Sequence, residues 1–106
     1  MNKVYFSNNA EQDISNIVIG LLLWTKVSIS VDEAFRYVDD IKLIAYSIPE
    51  LAYHQKCRYI MHKEHGEYQI KYKRNYKTTW YIIYNIDPET GDVLINKIIN
   101  NHLTLK

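Results

Sequence analysis

With 106 residues, 47% of them apolar and 24% charged, and with only three glycines and two prolines, the chain suits one globular domain over 1–106. Cys57 is the single cysteine, which excludes an intramolecular disulfide. Met1-Asn2-Lys3-Val4-Tyr5 lacks the apolar core of a signal peptide, and the apolar run Ile17 to Trp24 falls short of the ~20 residues of a spanning helix. A cytoplasmic protein without a membrane partner is therefore expected.

Lys3 to Ser7 is a short strand candidate carrying Val4, Tyr5 and Phe6. Asn8 and Asn9 then offer N-cap oxygens to a helix whose apolar stripe is Ala10, Ile14, Ile17, Val18, Leu21 and Leu22. The period breaks over Thr25 to Ile29. Ser30 with Glu33 is a capping box, which starts a second helix at about Val31. Ala34, Tyr37, Val38, Ile41, Ile44, Ala45 and Ile48 mark its buried face, and Pro49 ends it. The short connection predicts a helical hairpin.

Leu51 to His65 carries little pattern; Tyr59-Ile60-Met61 suits either a short strand or a loop. Three strands then follow, Glu67–Arg74, Thr78–Ile86 and Asp92–Ile99. In the first, Tyr68, Ile70 and Tyr72 alternate with Gln69, Lys71 and Lys73, so the two lysines share the face opposite the tyrosines. The second is apolar on both faces, as a central strand requires. Asp87-Pro88-Glu89-Thr90-Gly91 is a hairpin loop in which Gly91 supplies a positive φ. The expectation is an α+β fold: a strand, a helical hairpin and a three-stranded antiparallel meander, with the helices on one sheet face.

The net charge of +1 says little, but its distribution is uneven. Between His54 and Lys77 stand seven cations (Lys56, Arg58, Lys63, Lys71, Lys73, Arg74, Lys77) against Glu64 and Glu67, a local balance of +5. Such asymmetry points to an anion-facing surface, or else to lysines that blunt a sheet edge. His54, Cys57, His62 and His65 have a spacing that mimics a zinc site, but without paired cysteines and with Lys56, Arg58 and Lys63 interleaved to repel a dication. Tyr68, Tyr72, Trp80 and Tyr84 are either base-stacking platforms or, facing the helices, core.

The order of elements resembles the RelE/ParE superfamily of bacterial type II toxins. The likeness rests on Val4-Tyr5-Phe6-Ser7 with Ala10 and Asp13-Ile14, on Tyr46-Ser47-Ile48-Pro49, on Arg74-Asn75 with Thr79-Trp80-Tyr81-Ile82-Ile83-Tyr84, and on Lys97-Ile98-Ile99-Asn100-Asn101-His102. It implies a toxin held by a cognate antitoxin protein. RelE-like members are metal-independent, cofactor-free endonucleases that cut mRNA on the ribosome and so inhibit translation; ParE-like members poison DNA gyrase. A non-catalytic interaction module on the same fold is the third alternative. The nuclease chemistry needs a base for a ribose 2′-hydroxyl, a cation for the phosphoryl oxygens and an acid for the leaving oxygen.

The resemblance puts Arg74 where the family often has a strand cation, and His102 at a C-terminal position where several nuclease members place a His or Tyr acid. With Lys73 these are the candidate catalytic residues. Lys71, which shares a strand face with Lys73, joins Lys77 and Arg58 as the candidate phosphate contacts. Arg74 also suits a second role, closing the strand end over an acidic side chain. Glu50 and Glu64 are further candidate bases. The chain departs from the family on its last strand, where Lys97 is the only cation.

Overall fold

The computed structural model describes residues 2–24 and 29–101, apart from the side chain of Trp24. The sheet has five strands, β1 (Val4–Phe6), β2 (Gln55–Lys56), β3 (Tyr68–Lys73), β4 (Thr79–Ile86) and β5 (Val93–Asn100), in the order β1-β5-β4-β3-β2. β1 runs parallel to β5, and the other neighbours are antiparallel. Helices α1 (Asn8–Trp24) and α2 (Val31–Tyr46) pack on one face. Strand, helices and three-stranded meander thus stand as expected, with β2 added at the far edge. No described helix is long and apolar enough to cross a membrane.

Local chemistry accounts for the boundaries. Ser7, rather than Asn8 or Asn9, caps α1: its Oγ accepts from the Ala10 N–H at 3.1 Å and its carbonyl from the Glu11 N–H at 2.9 Å. Hydroxyl and carbonyl together satisfy donors that have no partner within the helix. The capping box of α2 forms in full, with Ser30 and Glu33 satisfying each other's backbone N–H groups. Pro49 sits in a 3₁₀ turn, Ile48–Glu50, that follows α2. Gly91 adopts φ +77°, and its N–H closes the hairpin loop onto the Asp87 carbonyl at 2.8 Å.

The main core lies between helices and sheet. Ala10, Ile14 and Val18 from α1 and Ala34, Val38, Ile41 and Ala45 from α2 meet Trp80, Ile82, Tyr84, Val93, Ile95 and Ile98. Fully burying aliphatic side chains of this kind stabilises by about 1.5–3 kcal/mol each. Leu22, expected in the α1 stripe, is instead 38% exposed, because the buried stripe runs through Ala10, Ile14, Val18 and Leu21. Tyr68, Tyr72, Trp80 and Tyr84 all belong to this core, so the packing alternative holds for them. Trp80 donates its indole N–H to the Tyr37 hydroxyl at 2.9 Å, satisfying a buried donor across the layers.

The segment that carries little pattern is the one the tertiary structure organises. Ile60–Lys63 forms a short helix, α3, where the sequence suggests a strand or a loop. It crosses the sheet face opposite α1 and α2. There Cys57, Ile83 and Ile99 make a second small core, and His62 and Gln69 are buried beside it. The outward side chains of the segment, Ile60 above all, stay exposed, which removes any simple hydrophobic period from its sequence.

Candidate polyanion-binding face

Lys71 and Lys73 sit on β3 opposite Tyr81 and Thr79 of β4, on the face away from α1 and α2. Both are exposed, and among the described residues neither has an acidic partner within ion-pair distance. The face they share is only partly open, because α3 and the small core beneath it cover the half nearer Ile83. What lies open to an anion on this face is therefore a strip along β3 bordered by a helical cap.

The cap adds to the strip. Arg58 lies between β2 and α3 and is exposed; its charge reaches the Tyr81 phenol. Tyr59 packs edge-on against His62 (ring centroids 5.2 Å apart) and Tyr81 (6.1 Å), while His62 lies 4.7 Å from Tyr81. Burial, with Tyr59 beside it, pushes the Tyr81 phenol up. Burial also lowers the pKa of His62, since an imidazolium there would lack water. Arg58 thus reaches the strip from the cap side and Lys71 and Lys73 from the strand side, whereas Lys56 pairs with Tyr68 and so shares the helix-side face, and Lys63 lies beside Cys57.

Arg74 is placed differently. Its side chain turns toward α2, where the guanidinium pairs with Asp40, donates to the Tyr72 hydroxyl at 3.1 Å and lies 4.2 Å over the Tyr37 ring. It occupies the end of β3 on the helix side, away from the face of Lys71 and Lys73. Lys77 stands in the β3–β4 turn with its ammonium over the Tyr76 ring. In that turn the Asn75 carboxamide accepts from the Lys77 and Thr78 N–H groups at 2.9 and 3.0 Å. His102 lies outside the described residues. Glu50 sits in the 3₁₀ turn after α2, and Glu64 follows α3.

The spacing that mimics a zinc site does not converge. His54 lies on the helix side, 2.7 Å from the Tyr84 hydroxyl and against the Tyr68 ring, whereas Cys57 and His62 lie on the opposite side of the sheet. Among the described residues no three His, Cys, Asp or Glu side chains are grouped to hold a metal. Burial raises the Cys57 thiol pKa, against the pull of Lys63.

An open groove of about 810 Å³ runs from α1 past the end of β5 to α3, with Leu21, Trp80 and Ile98 on its walls and His65 at its rim. Asp13 and Lys97 also line it, paired at 2.9 Å. Lys97, the one cation of β5, is therefore held by α1. The paired cations, Arg74 and Lys97, both answer to helix carboxylates, and this is the sorting that the sequence left open. Asp40 and Asp13 carry no local signal of it. Tyr59 was hidden in the segment without pattern, whereas Tyr81 was reachable from the alternation that puts it on the face of Lys71.

No protein-family model matches the sequence, and no curated protein is significantly similar to it. In structure the chain is similar to a chain of the toxin–antitoxin complex RelBE2 from Mycobacterium tuberculosis, with a TM-score of 0.54 at 16% identity over 94% of this chain and 91% of that one. At that identity the likeness concerns the fold. The fold of this chain is thus shared with a chain of a RelBE2 toxin–antitoxin complex, and it is the α+β architecture that the RelE/ParE resemblance implies.

Proposed function

We propose that this protein is the toxin of a type II toxin–antitoxin pair, and that it acts as a metal-independent endonuclease on mRNA at the ribosome. The toxin role and the antitoxin partner are supported by the fold shared with a chain of a toxin–antitoxin complex. The observation that carries the RNA target is the pair Lys71 and Lys73, exposed, side by side in alternation and without an acidic partner among the described residues. Cations placed so track a phosphate backbone.

In this reaction the ribose 2′-oxygen gives up its proton to a base and attacks the adjacent phosphorus. The bond from phosphorus to the 5′-oxygen breaks, and an acid returns a proton to that oxygen. Lys73 offsets the charge that grows on the phosphoryl oxygens, and Lys71, Lys77 and Arg58 hold the neighbouring phosphates. In this reading His102 is the acid that returns the proton to the 5′-oxygen, and a separate base takes the 2′-proton. Arg74 joins only by releasing Asp40.

The test is inducible expression with translation and DNA supercoiling followed separately. Growth arrest with blocked translation, relieved by replacing Lys71 and Lys73 together with alanine, is the expected result. Arrest with translation intact and supercoiling disturbed would replace this reading with gyrase poisoning. Harmless expression of folded protein would leave the fold as an interaction module.

A further inference from the structure

The cap over the second sheet face is more than packing. We propose that it forms a base-stacking subsite for a single-stranded polynucleotide, with Tyr59 as the platform and Arg58 and Lys71 as the flanking phosphate contacts. This inference rests on the RNA reading of the face and adds to it an aromatic platform that neither the strand cations nor His102 supplies.

Four observations converge. Tyr59 is 40% exposed although its ring touches two others, so one part of it is fixed and the rest is presented to solvent. Its support is rigid, because His62 is fully buried and Tyr81 nearly so. Arg58 is the preceding residue, and it is close enough for its charge to act on the Tyr81 hydroxyl. Lys71 is the cross-strand partner of Tyr81, which places a second exposed cation beside that ring on the same sheet face. An exposed aromatic ring with cations beside it that have no acidic partner among the described residues is what an unstacked base and its phosphates require, and every base has a π-face to offer. A duplex, whose bases are already stacked, gains nothing from the ring.

Anisotropy of the intact chain with a labelled 12-nucleotide single-stranded RNA tests this. Tyr59→Leu is expected to weaken binding roughly tenfold with an unchanged salt slope, whereas Tyr59→Phe, which keeps the ring, binds as the parent does. Lys71→Ala is expected to lower the salt slope by about one. If Lys71→Ala weakens binding but Tyr59→Leu does not, the stacking subsite is wrong and the RNA face stands. Equal loss with a duplex of the same sequence also overturns the subsite. If the parent binds no RNA even at low salt, the RNA reading itself fails.

Discussion

The Asp13 carboxylate of α1 accepts the backbone N–H of Ile98 at 2.9 Å, so a helix side chain completes a sheet edge that β1 leaves uncovered. β1 pairs with β5 only from Val93 to Ile95. Just beyond, Asn96 is an extra residue on β5: Tyr84 pairs with Ile95 and Ile83 with Lys97. The resulting bulge bends the strand where it leaves β1 behind. The other Asp13 oxygen takes the Lys97 ammonium at 2.9 Å. One carboxylate thereby fixes helix to sheet and removes Lys97 from the cationic strip.

Replacing Asp13 with alanine leaves an N–H and a half-buried ammonium without their acceptor. A loss of about 1–3 kcal/mol is expected, with a smaller loss for Lys97→Met, since exposed edges of such pairs are screened. Urea denaturation of the three proteins checks the ranking. Equal stability of Asp13→Ala and the parent would show that water replaces the carboxylate.

Arg74 and Asp40 are both partly exposed, at 27% and 40% of their side-chain surface. Breaking the pair from either side is therefore expected to cost no more than about 1 kcal/mol. If Arg74 also contacts the cleaved phosphate, Arg74→Ala relieves growth arrest while Asp40→Ala does not. Melting curves beside growth assays separate the two effects. Relief by both substitutions in proportion to lost stability would mean that Arg74 only closes the strand end.

Lys71→Ala with Lys73→Ala removes exposed charges that hold no partner among the described residues. Thermal stability is expected to stay within about 0.5 kcal/mol of the parent, as for surface changes generally. Growth arrest should fall sharply. A large drop in melting temperature would refute the view that these lysines are structurally idle.

His62 gives a pH dependence whose sign follows from its burial. Its pKa is lowered in the folded state, with Tyr59, Tyr81, Gln69 and His65 around it. Below the unfolded value of about 6.5 the unfolded chain binds the proton first, so the favourable contribution present above that pH is lost as pH falls toward the folded value. Chemical denaturation between pH 7.5 and 5 is expected to show falling stability, and His62→Leu to flatten that slope. An unchanged slope in His62→Leu would assign the dependence elsewhere.

The sequence by itself determined the elements whose residues repeat with a period. The α2 face of Ala34, Tyr37, Val38, Ile41, Ile44 and Ala45 packs as its 3.6-residue spacing requires, with Ile48 of the following turn extending it, and the Tyr68-Ile70-Tyr72 alternation puts Lys71 and Lys73 on the other side of the sheet. Those patterns are local, because each side chain's direction follows from its position in one helix or strand. What the fold alone decided is which cations are neutralised and what covers the second face. Arg74 meets Asp40 across 34 residues, and Lys97 meets Asp13 across 84. Charge pairs at such separations leave no periodic trace. The α3 cap is held by one buried histidine and a three-residue core, too little apolar surface to shape the sequence around it, so only packing against the finished sheet reveals it.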